Sequence, residues 1–145
     1  MSAMRPGKFA ITACDRFIDV LRAFIDCGWQ PIKLFSSPIT TPMASNRQVI
    51  ALAQQHKIPI QLNRMQERDL AGLQDDGCEL LVVASYQWRV GNWASYLPRA
   101  INFHPAPLPH YRGPYPLVQG MLDRRSVWAT TCHKLAAEFD TGDIG

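Results

Sequence analysis

The sequence predicts an open, mostly parallel α/β sheet, and three observations predict it. Short apolar runs rich in β-formers alternate with stretches whose apolar residues recur at helical spacing. One run, residues 79–85 (ELLVVAS), is apolar along most of its length, as central parallel strands buried on both faces are. Gly28 and Gly77 stand where two of the helical stretches stop, supplying the left-handed residue that commonly ends a helix. Crossovers between parallel strands are right-handed, so ligands should gather at the carboxyl ends of the strands.

The elements follow in order. Residues 8–14 (KFAITAC) read as a first strand, and residues 16–27 as a helix with Phe17, Leu21, Phe24 and Ile25 at helical spacing. Residues 31–35 (PIKLF) return as a strand. Residues 36–45, with two prolines and several hydroxyl residues, form a loop before a helix marked by Val49, Ile50 and Ala53. A third strand is expected at 58–62. Asn63 followed by Gln66 resembles a capping box that opens a helix with Leu70 and Leu73 turned inward. After the 79–85 strand come a short helix at 93–97, a strand at 100–103 and a further strand at 127–133.

At 145 residues and 16.3 kDa the chain is expected to form one domain, residues 1–145. Its 47% hydrophobic and 19% charged residues exclude disorder as the overall state. The net charge of +3 comes from scattered Lys and Arg, so no nucleic-acid partner is expected; the surplus suits a mildly anionic small ligand. The apolar run at 80–84 is far below the roughly 18 residues that span a bilayer, and no signal-peptide pattern precedes it. A cytoplasmic protein without a membrane contact is the expectation. Cys14, Cys27, Cys78 and Cys132 are widely spaced with no CxxC pair, which points to four buried reduced thiols and to no metal.

Chemistry is concentrated after the 100–103 strand. Five of the eleven prolines fall within residues 105–116, in the run INFHPAPLPHYRGPYP, which stiffens the loop. Asn102 and His104 stand two residues apart on a strand, so their side chains leave the same face. His133 lies at a later strand end, and Glu138, Asp140, Thr141, Gly142 and Asp143 form a turn-rich stretch. Taken singly, an Asn-x-His pair is more often structural and an Asp-Thr-Gly-Asp run more often a turn. Neither GxGxxG nor GxSxG occurs, which sets aside a dinucleotide loop and a serine nucleophile elbow.

Together these residues resemble the folate-dependent formyltransferases, the family of the methionyl-tRNA, glycinamide ribonucleotide and amino-sugar formyltransferases. Their signature is a strand ending in Asn-x-His-Pro, a Leu-Pro-x-x-Arg-Gly loop, a Thr-x-His strand and an Asp-x-Gly turn. It is matched here by Asn102, His104, Pro105, Leu108, Pro109, Arg112, Gly113, Thr131, His133, Asp140 and Gly142, with 36 residues from His104 to Asp140. Residues 80–90 (LLVVASYQWRV) resemble the family's strand and pterin-holding loop, and the likeness covers most of residues 8–144.

The resemblance implies a Rossmann-like sheet with helices on both faces and an N-formyltransferase that uses N10-formyltetrahydrofolate and no metal. By resemblance Asn102, His104 and Asp140 are catalytic. Asn102 and protonated His104 donate to the formyl oxygen, while Asp140 keeps His104 charged and takes the proton lost by the amine. Tyr86, Gln87, Trp88, Arg89, Val90 and Asp140 bind the folate, largely through backbone groups. Leu108, Pro109, Tyr111, Arg112 and Gly113 form a substrate loop, with the Leu108–Pro109 bond the best candidate for a cis peptide. Tyr111 and Arg112 are equally a loop packing pair, Trp88 equally core, and His133 reads as structural.

The chain departs from the family at Ala106 and Pro107, where many members carry Ser-Leu, and it lacks a glycine-rich phosphate loop after the first strand. A small amine acceptor is therefore favoured, an amino-sugar nucleotide or an amino acid derivative. The alternatives are a formyltetrahydrofolate hydrolase and a catalytically idle folate-binding fragment. Family members continue past the Asp-x-Gly turn, so the likeness implies a catalytic domain cut short at Gly145, with an uncovered edge that favours self-association.

Overall fold

The computed structural model describes residues 5–38, 45–113, 116–136 and 142. Contacts divide the chain into two compact units, residues 1–100 and 101–145.

The first unit runs β1 (Lys8–Ala13), α1 (Ile18–Asp26), β2 (Gln30–Phe35), α2 (Arg47–Gln55), β3 (Ile60–Gln61), α3 (Glu67–Asp75) and β4 (Leu80–Ala84). The four strands lie in the order β3-β2-β1-β4. Neighbours are parallel at every step. The chain moves outward from β1 to β3 and then returns to lay β4 on the other edge of β1. Right-handed crossovers accordingly put α1 and α2 on one face and α3 on the opposite one. The two central strands carry the core: Phe9, Ile11, Leu81 and Val82 are fully buried, and all five residues of β4 are buried. Ile18 and Leu21 of α1, Val49 and Ala53 of α2, and Leu70 and Leu73 of α3 are the buried residues of these helices. Gly28 and Gly77 end α1 and α3 at φ values of 90° and 79°, where a side chain would be strained.

Several expected boundaries move, each for a local reason. The start of the first helix is a 3-10 turn, Asp15–Phe17. Asp15 is drawn toward α2: its N–H donates to the Ser45 carbonyl and its carboxylate accepts from the Val49 N–H, both at 2.8 Å. The third strand shrinks to two residues because Pro59 has no N–H to give a ladder. The capping box sits three residues later than expected. Gln66 precedes α3 and its N–H donates to the Asp69 carboxylate at 2.8 Å, leaving Asn63 outside the cap. The expected helix at 93–97 is a 3-10 turn, Trp93–Ser95, entered through Asn92 at φ 53° and followed by Pro98. Cys14 and Cys78 are buried as expected, whereas Cys27 is exposed at the end of α1 and Cys132 is half-buried.

The second unit holds β5 (Ala100–His104, whose first residue belongs to the first unit), α4 (Pro116–Leu122) and β6 (Thr131–Lys134). β5 and β6 pair antiparallel, so the sheet strands are mostly parallel but not uniformly so. The last strand begins at Thr131, not at 127: Val127 is exposed, and Trp128 turns back to donate its Nε1–H to the Pro105 carbonyl. The sequence pattern does not announce α4, because Pro116, its first residue, reads as the last proline of the loop. Proline at the first helical position lacks only an N–H that has no partner there in any case. Among the described residues no helix is long and apolar enough to cross a membrane.

Candidate functional site

The return of the chain past β1 makes β1 and β4 the place where strand order reverses, and a crevice opens at the carboxyl ends of strands so arranged. Ala13 and Ala84 face each other there. Ser36 fixes the end of β1 by donating its hydroxyl to the Ala13 carbonyl at 2.8 Å. β4 leaves the crevice through Ser85 at φ 99°, a conformation that side chains seldom adopt and that turns residues 86–90 sharply off the strand.

Those five residues alternate. Tyr86, Trp88 and Val90 are half-buried, while Gln87 and Arg89 are exposed. The Tyr86 and Trp88 rings meet edge to face, 5.3 Å apart. Tyr86 Oη accepts the Met65 N–H at 2.9 Å. Burial pushes the Tyr86 phenol up, the Met65 N–H and Arg64 work against it, and Asp69 adds to it; the net direction is upward, which keeps the hydroxyl neutral. Gln87 is tied to the loop after β2 by the Ser37 hydroxyl, 3.1 Å from its Oε1.

Beside this segment lies a cleft of about 350 Å³ whose walls include Arg64, Met65, Leu70, Arg89, Val90 and Asn92. Glu67 also lines it, but its carboxylate is engaged by Asn92 Nδ2 at 2.6 Å and by the Tyr96 hydroxyl at 3.4 Å. Apolar side chains next to two guanidiniums suit a ligand with a flat body and an acidic end. Nothing in the spacing of Arg64, Glu67 and Asn92 marked them; only the expected fold, which brings the segment before α3 to the strand ends, could have found them.

In the second unit the β5–β6 register sets Asn102 opposite His133 and His104 opposite Thr131. His104 is buried and Asn102 half-buried. His104 Nε2 donates to the Tyr111 carbonyl at 2.7 Å, so the ring closes the proline loop onto the strand. Thr131 closes it a second time: its Oγ1 accepts the Leu108 N–H at 3.1 Å and donates to the Ala106 carbonyl at 2.6 Å. The Leu108–Pro109 peptide is cis, as the sequence suggested. Tyr111 takes φ 60°. Its hydroxyl donates to Asp123 at 2.9 Å and accepts from Arg125 Nε at 2.8 Å, and its ring packs on Trp128. That geometry favours the packing role for Tyr111. Arg112 is exposed, and Gly113 sits at φ 101°. The structure thus brings Asn102, His104 and His133 together on one face of the β5–β6 pair. Asp140 lies outside the described residues.

No family model matches the chain. A methionyl-tRNA formyltransferase of Anaplasma marginale is 32% identical over 102 residues, covering 66% of this chain and 33% of that protein. One from Thermotoga maritima is 28% identical over 135 residues, covering 87% of this chain and 43% of its relative. The fold is that of a phosphoribosylglycinamide formyltransferase from Bacillus halodurans, with a TM-score of 0.72 and 22% identity over 94% of this chain and 76% of that one. The chain therefore spans well under half the length of these curated relatives.

Proposed function

Because the chain belongs to the formyltransferase family, we propose that it moves a formyl group from N10-formyltetrahydrofolate to the primary amine of a small acceptor, an amino-sugar nucleotide or an amino acid derivative. The observation that carries this reading is the β5 stem: Asn102 and His104 leave one face of a strand whose following loop is held by His104 and Thr131. Polar groups fixed before the reaction are what stabilise developing charge most strongly.

The folate fits the first unit. Its flat pterin suits residues 86–90, where Trp88 and Tyr86 supply aromatic edges and the turned backbone supplies donors and acceptors. Its acidic tail suits Arg64 and Arg89 along the cleft. When bound, it supplies a formyl carbon on N10 that is open to attack by an amine.

The residues divide the work. Asn102 donates an amide N–H to the formyl oxygen, which gains charge as the amine attacks. His104, when protonated, donates a second and charge-assisted hydrogen bond to that oxygen. Asp140 holds that charge and receives the proton the attacking amine loses as its bond to the formyl carbon forms, then returns a proton to N10 as the C–N10 bond breaks. Each donor is worth about 10²- to 10³-fold in rate. Leu108, Pro109, Arg112 and Gly113 shape the acceptor side. A cytoplasmic setting suits the thiols.

A second acceptor is favoured by a specific observation. The curated relatives are methionyl-tRNA formyltransferases, so the amino acid derivative can be an aminoacyl ester carried on tRNA. The deciding experiment follows the loss of N10-formyltetrahydrofolate absorbance with an amino-sugar nucleotide, with methionyl-tRNA and with no amine, and identifies the formylated product by mass. Amine-dependent loss supports transfer. Equal loss without amine identifies a hydrolase, and no loss in any arm overturns an enzymatic role.

A further inference from the structure

The cleft beside residues 86–90 owes its shape to two contacts within the first unit. At one end Tyr86 Oη accepts the Met65 N–H at 2.9 Å. At the other, Asn92 Nδ2 donates to the Glu67 carboxylate at 2.6 Å. Between these pins the α3 side has only Gln66, whereas the facing side has residues 87–91. The longer side must arch away, and the arch and the segment at the start of α3 are the two walls of the cleft.

Both members of the far pin are themselves held. Glu67 is the first residue of α3, directly after Gln66, whose capping box with Asp69 fixes the start of that helix. Its second carboxylate oxygen accepts the Tyr96 hydroxyl at 3.4 Å. Asn92 enters the 3-10 turn at φ 53°, a left-handed position that asparagine tolerates better than most residues. Its Oδ1 accepts the Ser95 hydroxyl at 2.7 Å. A carboxylate only accepts, so the amide nitrogen faces Glu67 and the amide oxygen faces Ser95. The arch therefore ends on a capped helix start, through a charge-assisted hydrogen bond.

We propose that Glu67 and Asn92 are positioning residues for the folate, a latch that holds the span of the 87–91 arch before the ligand arrives. This rests on the function proposed above, which puts the pterin on that arch. A preformed surface binds more tightly because it need not be ordered on binding. The latch meets no reacting atom and moves no proton. Glu67 acting only as a charge would have the opposite effect on affinity. A lone carboxylate in a cleft lined by Arg64 and Arg89 repels an acidic ligand, so removing it would tighten binding.

The opposite signs separate the two roles, read as Kd for 5-formyltetrahydrofolate by calorimetry on the full chain. Glu67→Ala should weaken binding about 5-fold, in line with the modest worth of exposed charged contacts. Asn92→Asp opposes two carboxylates and should weaken it about 10-fold. Combining Glu67→Gln with Asn92→Asp keeps the net charge and rebuilds the bond in reverse, the introduced amide donating to the introduced carboxylate. This exchange variant should return Kd to within about 2-fold of wild type, because the two positions act through one bond and are not additive. Tighter binding in Glu67→Ala, or an exchange variant no better than Asn92→Asp, overturns the proposal.

The latch also has a readout that needs neither ligand nor turnover. Backbone nitrogen-15 order parameters for residues 88–91 should lie near about 0.85 in the wild-type chain, fall toward about 0.6 in Glu67→Ala and recover in the exchange variant. Residues 80–84 of β4 should keep theirs throughout, which separates a loosened arch from a loosened fold. Order parameters at 88–91 indifferent to Glu67→Ala, or β4 loosening together with the arch, overturn the proposal. If the wild-type chain binds no folate, the proposed function fails while the order parameters still decide the latch.

Discussion

The segment after β4 and the segment after β5 leave strand ends in different ways. Residues 86–90 depart through one sharp turn at Ser85, and side chains carry their described contacts: the Met65 N–H donates to Tyr86, the Ser37 hydroxyl meets Gln87, and the Tyr86 and Trp88 rings meet edge to face. Residues 105–113 are fixed along their length. His104 and Thr131 clamp the backbone, Trp128 takes the Pro105 carbonyl, and five prolines within residues 105–116 stiffen the chain. On the proposed function, the difference is a division of labour. A surface that grips a large flat ligand through backbone and long side chains tolerates small movements. A group that must stabilise charge on one atom does not, since a displacement of about 1 Å can cost on the order of 10²-fold in rate.

The largest effects should therefore come from the second region. His104→Ala should lower kcat by about 10²- to 10³-fold while leaving the dissociation constant for 5-formyltetrahydrofolate within a few-fold by calorimetry. A matching loss of affinity would make His104 a ligand contact and dissolve the contrast between the regions.

Next in size is the clamp. Thr131→Val keeps the shape of the side chain but leaves the Leu108 N–H and the Ala106 carbonyl without their hydroxyl partner. Unsatisfied buried polar groups cost about 1 to 3 kcal/mol each, so urea unfolding should shift by that order and kcat should fall with it. A variant with unchanged midpoint and unchanged kcat would show that the loop holds its shape without the clamp.

The strand alternation, the buried central strand and the glycine stops were legible because each depends on residues near in sequence, as at Leu80–Ala84 and Gly28. Asn102 and His104 were legible as a pair for the same reason, since two residues on a strand share a face. What could not be read was long-range. Asp15 serves α2 from 34 residues upstream of Val49, and His133 meets Asn102 across 31 residues. Arg64 and Asn92 meet in one cleft only once the sheet order is known. α4 is masked in the sequence by Pro116, which reads with the loop, and the last strand starts later than its residue types suggest because Val127 is exposed and Trp128 turns back to Pro105.

A smaller effect belongs to the first region. Arg89→Gln should weaken folate binding by about 10-fold or less, since exposed charged contacts contribute little more than 1 kcal/mol. The loss should grow milder with added salt. Titration at two ionic strengths checks it, and a salt-independent loss would argue for a shape role of that side chain.

The smallest concerns Asp69, which starts α3 and so sets one wall of the cleft. Burial pushes its carboxyl up. The Gln61 side-chain hydrogen bond, the Gln66 N–H, Lys33 and Arg68 together outweigh that and hold it below its usual range. A depressed folded value means the contribution is present above the unfolded value of about 4 and fades as pH falls through the folded one. Asp69→Asn should cost about 1 kcal/mol at pH 7, and the cost should shrink as pH falls below about 4, read from urea midpoints. A cost that does not change with pH would contradict the charge argument.

The central claim is that the two regions split rate from affinity within one formyl transfer, and a single-turnover rate of formyl loss from N10-formyltetrahydrofolate, at saturating folate with a working amine, tests it most directly. Asn102→Ala should stay at least about 100-fold slower than the wild-type chain however much folate is added, while Arg89→Gln should return to the wild-type rate at saturation. Equal rates for Asn102→Ala and wild type would contradict the account.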